Sequence, residues 1–315
     1  LLLEIKNLTA GYKSQGKIVQ AVKNVSFVLE ENDFLGIAGE SGCGKTTLLF
    51  SILRLLKKPG EIFEGEVFFK GEDLLKMDEE KLRRKRWKEF SLVTQSAMNA
   101  LNPVFKIKDQ IMDVILEHSD YSKTEAMEII EKVLQLVGIQ KERMDSFPHQ
   151  LSGGMKQRVA IAMALVFSPP LVVMDEPTTS LDVVVQRSIM EEIDEIRSQK
   201  KFSIIFVTHD ISLLFEISKR IAIMYAGEIV EIGPTKQVYL SPFHPYTKGL
   251  INSFPKLTKE TKEYKGIPGK IPDLSKPVEG CSFKDRCQYR KELCDKRPEF
   301  KEITSGRWVA CHFPQ

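Results

Sequence analysis

The stretch GESGCGKTT, from Gly39 to Thr47, constrains this chain more than any other. It fits the pattern G-x-x-x-x-G-K-T, whose glycines let backbone N–H groups close around phosphate. In that pattern Lys45 reaches the β- and γ-phosphates and Thr46 offers a hydroxyl to Mg²⁺, while Gly39, Ser41, Gly42, Cys43, Gly44 and Thr47 complete the cradle. Such a loop needs a strand before it and a helix after it. FLGIAGE reads as the strand, and TTLLFSILRLL has helical spacing with few polar residues, so its N-terminus aims at phosphate and Lys57-Lys58-Pro59-Gly60 ends it. By itself the loop says only that the chain binds a nucleotide, because kinases, GTPases, helicases and motors all carry one.

Four further features follow in order: Gln95, LSGGMKQR from Leu151 to Arg158, LVVMDEPTTSLD from Leu171 to Asp182, and His209. On these strings the chain resembles the ATPase subunit of an ATP-binding-cassette transporter, over about Leu1 to Gly233. The resemblance implies an α/β fold of the P-loop NTPase kind, with a RecA-like core, an antiparallel β layer and a helical subdomain over 96–150. It also implies roles. Tyr12, in LTAGY, stands where the family stacks an aromatic on adenine. Thr46 and Asp175 fix Mg²⁺, with Gln95 reaching the metal and the attacking water. Glu176 is the general base and His209 contacts the γ-phosphate. Phosphoryl transfer asks for positioning and charge stabilisation more than covalent chemistry, so each of these tasks is electrostatic.

Ser152, Gly153 and Gly154 precede a strongly helical stretch, so their amides and the helix N-terminus form an anion site. In the family they grip the γ-phosphate held by the opposite subunit, with Asp182 at the interface. One loop and one signature per chain then require two cassettes head to tail, identical or different. ATP closes such a dimer, hydrolysis releases it, and a permease reads the two states.

A length of 315 residues allows a full core and about two domains, at ~100–200 residues each. A net charge of +3 and 28% charged residues leave no nucleic-acid footprint. The densest basic run, Lys81 to Lys88, alternates with Leu82 and Trp87 and reads as a solvated helix face. No stretch nears the ~18 to 20 apolar residues that span a bilayer, and LLLEIKNL lacks the character of a signal peptide. The expectation is a protein on the cytoplasmic face of the cell membrane, bound to two transmembrane permease subunits and served indirectly by an extracytoplasmic solute-binding protein.

LLLEIKNLTA, KIVQAVKNVSFVLE and EGEVFFKGEDL alternate as an antiparallel layer does. From Ser122 to Val137 a capping box, Ser122 with Glu125, opens a helix that Gly138 stops. LVVMDE and FSIIFVTHD read as buried parallel strands, with Arg187 to Lys200 helical between them. IAIMYAGEIVEIG suggests a hairpin turning at Ala226-Gly227. At Pro234 the texture changes, so the domains expected are 1–233 and a separate appendage over 234–315.

In that appendage five, six and sixteen residues separate Cys281, Cys287, Cys294 and Cys311 in turn. Four cysteines in a tail of weak apolar content favour a metal centre over core packing. Zinc usually brings tight pairs, C-x2 to 4-C, which are missing here, whereas an iron–sulfur cluster tolerates varied spacing. SPFHPYTKGL with this tail is similar to the C-terminal extension of the oligopeptide/dipeptide importer branch. That resemblance implies a [4Fe–4S] cluster, with zinc as the alternative, and di- or oligopeptides as solute, with nickel or oligosaccharides as alternatives. A soluble cassette ATPase of DNA repair or translation is the other class; such relatives carry very long coiled coils or two fused cassettes, and this chain has neither.

Overall fold

The computed structural model describes residues 1–14, 17–95, 100–178, 181–253, 266–276 and 278–315. The chain divides into two compact units, one of Leu1–Leu29, Leu35–Leu75 and His209–Gln315, the other of Glu30–Phe34 and Lys76–Thr208.

In the first unit, the strands Leu3–Ser14, Lys17–Leu29, Gly60–Phe69 and Glu72–Asp73 form the expected antiparallel layer, with Leu3–Ser14 between Lys17–Leu29 and Gly60–Phe69. Alternation puts Leu3, Ile5, Val25, Phe27, Val67 and Phe69 inside. The strand Phe34–Ala38, which feeds the phosphate loop, pairs in parallel with Arg220–Tyr225 from Leu35 to Ala38. Arg220–Tyr225 and Glu228–Pro234 form the hairpin, and Ala226 and Gly227, at φ 50° and 90°, supply the two left-handed residues that its turn requires.

The helix after the loop runs only from Lys45 to Ile52. It stops well before the Pro-Gly pair that its apolar spacing suggests. Arg54 turns left-handed at φ 51°, Leu55 N–H reaches back to the Phe50 carbonyl, and the Arg54 guanidinium is held on the Leu74 carbonyl.

The cysteine tail is not a compact body of its own in this division. Its strand Arg307–Val309 pairs with the hairpin strand Glu228–Pro234 and with Lys301–Thr304, which extends the strand ladder. Beneath it the fully buried Glu231 accepts hydrogen bonds from Phe243 N–H and His244 N–H, both at 2.9 Å, and from Arg307 Nη2 at 2.7 Å.

The second unit holds a parallel ladder, Phe90–Val93, Leu171–Asp175 and Ser203–Val207, with Leu171–Asp175 central and buried throughout. The helix Val183–Lys200 connects the last two strands. It begins before the expected Arg187, because the Asp182 carboxylate caps Val184 N–H and Val185 N–H. The helix Gly153–Leu165 packs on the strand Phe90–Val93, and the helices Ile107–His118 and Lys123–Leu136 pack on that helix and on each other. The capping box is present, Ser122 Oγ accepting from Glu125 N–H at 3.3 Å and Glu125 Oε2 accepting from Ser122 N–H at 2.8 Å. Only residues 81–85 of the basic run are helical, at the end of the short helix Glu79–Lys85, and Arg86, Trp87 and Lys88 lie beyond it; Leu82 is buried, Arg83 and Arg84 are paired to Glu80, and Arg86 to Glu79.

Candidate functional site

In the first unit the loop between Ala38 and Lys45 is built by close approach. A side chain at Gly44, whose φ is 106°, would put its Cβ 1.9 Å from the Ala21 carbonyl oxygen, so only glycine fits there. Lys45 is buried, and its ammonium donates to the carbonyls of Gly39 at 2.8 Å and Glu40 at 3.2 Å, with Cys43 Sγ at 3.8 Å. The cation therefore rests on the dipoles of the loop it belongs to. Ser41, Gly42 and Thr46 are the loop's more open residues.

Tyr12 shares a hydrogen bond with Thr47 through Oη and Oγ1 at 3.1 Å, while the residue stays partly exposed. An aromatic face is thus tied to the first turn of the loop's helix. Cys43 is fully buried, and burial pushes its thiol up from the ordinary value. A thiol so placed is an inert packing group. His209 is exposed and directly precedes Asp210, which caps the helix Ile211–Ile217.

In the second unit the buried Asp175 ends its strand and Glu176 follows with φ 45°, a left-handed backbone that a glutamate seldom adopts. Glu176 N–H is fixed on the Val207 carbonyl at 2.8 Å. Gln95, just beyond the strand Phe90–Val93, donates from Nε2 to Glu176 Oε2 at 3.1 Å. Strain of this kind is held at a site by its surroundings, and here those surroundings aim a carboxylate. Ser152 caps the helix Gly153–Leu165 through Met155 N–H at 3.3 Å, so Gly153 and Gly154 form its first turn. Thr179 and Ser180, in the PTTSLD string, lie outside the described residues.

The four tail cysteines line one small cavity together with His244, Phe283 and Tyr289. Cys281 N–H donates to the Cys294 carbonyl at 2.9 Å. Burial pushes the Cys281 thiol up to about 12, with the charges of Cys294, Cys311 and Cys287 adding to the rise. Among the described residues, no group of three or more His, Cys, Asp or Glu side chains stands ready to hold a metal ion. The four sulfurs share a cavity, and the arrangement falls short of a closed single-ion site.

Sequence reasoning missed Glu40, Tyr246 and Arg286. Glu40 N–H donates to Tyr246 Oη at 3.0 Å, and its carboxylate is paired with Arg286. No pattern in one sequence signals a contact 246 positions apart.

A phosphate loop, a capped Ser-Gly-Gly helix and an Asp-Glu pair after a buried strand together define a nucleotide-hydrolysing cassette. The family model for ABC transporters matches residues 22–179, and the chain belongs to that family. A second model, the C-terminal region of oligopeptide/dipeptide transporters, matches residues 230–294. The chain is 39% identical over 99% of its length, and 97% of the relative's, to the dipeptide transport ATP-binding protein DppD of Caldanaerobacter subterraneus. It is 38% identical to the oligopeptide transport ATP-binding protein OppD of Escherichia coli, over 99% of this chain and 93% of the relative. Among solved structures, the dimeric bacterial ABC transporter cassette MJ0796 aligns at a TM-score of 0.67 and 30% identity, over 74% of this chain and 99% of that one. Its post-hydrolysis dimer, bound to ADP and Pi, aligns at 0.66.

Proposed function

We propose that this chain is the ATP-hydrolysing subunit of a membrane importer for di- or oligopeptides. The observation that carries the catalytic reading is the contact between Gln95 and Glu176, a carboxylate held in an uncommon backbone conformation beside an amide that orients it. Lys45 and the loop amides bind the β- and γ-phosphates, and Tyr12 stacks on the adenine. Glu176 takes the proton of the attacking water, with Gln95 and His209 orienting that water. Thr46, Asp175 and Gln95 each offer an oxygen of the hard kind that Mg²⁺ takes. When bound, the metal supplies neutralising charge at the phosphate oxygens.

Ser152, Gly153 and Gly154 reach the γ-phosphate of a facing cassette, with Asp182 near that interface. The exposed Val183 and Val184 beside Asp182 support a protein-facing surface there. Exposed Val104 and Phe105 support a permease contact in the same way. Among the described residues no helix is long and apolar enough to cross a membrane. In this reading two permease partners carry the transport path, and the chain sits peripherally on the cytoplasmic face.

Domains at 1–233 and 234–315, with the helical subdomain over 96–150, remain our functional division of the chain. We assign Cys281, Cys287, Cys294 and Cys311 to a [4Fe–4S] cluster in preference to zinc. Four thiols around one cavity suit a group that takes four thiolates. The cluster would tie together a tail with little core of its own.

The test is assembly with the two permeases and a binding protein in lipid vesicles. Peptide-loaded binding protein should stimulate ATP turnover. Stimulation only by nickel- or oligosaccharide-loaded protein would replace the solute, and ATP turnover that responds to none of them would overturn the importer reading.

A further inference from the structure

Glu40 occupies the second position of the phosphate loop and is gripped from three sides within the first unit. Its carbonyl accepts from Lys45 Nζ at 3.2 Å. Its N–H donates to Tyr246 Oη at 3.0 Å. Its carboxylate receives both arms of one guanidinium, Arg286 Nη1 to Oε2 at 2.7 Å and Arg286 Nη2 to Oε1 at 2.9 Å. Tyr246 and Arg286 both belong to the C-terminal tail.

Arg286 is itself immobilised. Its side chain is only 5% exposed. Nε donates to the Pro268 carbonyl at 2.7 Å, Nη2 to the Ile267 carbonyl at 3.3 Å and Nη1 to Tyr225 Oη at 3.3 Å. The guanidinium also lies over the rings of Tyr225 and Phe283. The turn that presents it runs between two of the tail cysteines, with Lys284 N–H on the Cys281 carbonyl and Cys287 N–H on the Lys284 carbonyl. A bidentate arginine so anchored fixes both the position and the angle of the carboxylate it holds.

We propose that Arg286 is a positioning residue for nucleotide binding: with Tyr246 it clamps Glu40, and through the Glu40 carbonyl it sets where Lys45 meets phosphate. The cysteine tail thereby acts on the ATP site of its own chain, and the order of the Cys281–Cys287 turn governs ATP affinity. This rests on the loop binding nucleotide, which wild-type binding checks separately.

The experiment measures ATP affinity, turnover and thermal unfolding of the full chain for wild type, Arg286→Ala, Arg286→Lys, Tyr246→Phe and Glu40→Gln. Arg286→Ala should weaken ATP binding and raise KM about tenfold, as expected when a charge-assisted bidentate contact stops holding the loop. The kcat at saturating ATP should stay within about twofold, because the transition-state contacts are untouched. Arg286→Lys should recover part of the affinity, since a point charge replaces one arm of the fork. Combining Glu40→Gln with Arg286→Ala should be no worse than the weaker single variant, the mark of a shared contact.

Wild type that fails to bind ATP would defeat the nucleotide reading itself. If wild type binds while Arg286→Ala and Tyr246→Phe keep its affinity within about twofold and lower only the unfolding temperature, the tail is structural and the proposal fails. Should Arg286→Ala not fold, Arg286→Lys and Tyr246→Phe decide alone, and unchanged KM in both would overturn it.

Discussion

Gln95 Nε2 donates to Glu176 Oε2 at 3.1 Å, joining the residue just beyond one parallel strand to the carboxylate that follows its neighbour. The contact fixes one oxygen of the carboxylate in place. Removing the amide should therefore loosen the base while leaving the phosphate cradle intact. Gln95→Ala is expected to lower kcat by about tenfold or more, a share of what positioned proton transfer supplies, and to leave ATP affinity within about threefold. Steady-state kinetics with a separate binding titration checks it; a loss confined to KM would contradict the assignment.

Lys45 presents the complementary case. Its ammonium lies on the Gly39 and Glu40 carbonyls at a place where phosphate oxygens would be a stronger partner. Lys45→Ala should weaken ATP binding by about tenfold to a hundredfold, the size of a lost hydrogen bond to a charged group. Titration with a fluorescent ATP analogue reads the change.

The buried pair of Glu231 and Arg307 docks the tail strand onto the hairpin. Truncating one partner leaves the other charge buried without its counter-charge, so Glu231→Ala should cost about 3–5 kcal/mol. Because Glu231 also accepts Phe243 N–H and His244 N–H, Glu231→Gln should cost less, keeping one acceptor while losing the charge. Denaturant unfolding of the two variants against wild type measures both.

For the tail, protein purified without oxygen should carry about four irons and four sulfides per chain, the content of the cluster we assign. One zinc and no iron would keep the ATPase and remove the cluster. Replacing Cys294, which lines the shared cavity, should lower the iron content.

Features whose signal is local were legible in the sequence. Ser122 and Glu125 stand three apart and cap one helix end, and Ala226-Gly227 supplies the two left-handed residues of one turn. The uninterrupted apolar run of LVVMDE states burial on both faces. Helix limits were less legible where a single backbone choice outweighs spacing. Val183 to Val185 are β-branched and two of them are exposed, yet the Asp182 cap starts the helix there. Arg54 ends the loop helix although apolar residues continue beyond it. Long-range charge pairs were invisible, because Glu40 with Arg286 and Glu231 with Arg307 are decided by how distant segments dock. The tail consequently read as an appendage, while its strand completes a ladder begun by the hairpin.

The central claim is that Glu176 activates water for attack on ATP held by Lys45 and the loop amides. Glu176→Gln tests it most directly, with hydrolysis, ATP binding and self-association measured on the same preparation. Turnover should fall by about 10² to 10⁴, the range of general-base catalysis, while ATP still binds and closed dimers accumulate. Hydrolysis retained within about tenfold of wild type would contradict the account, for a carboxylate that dispensable is not the base.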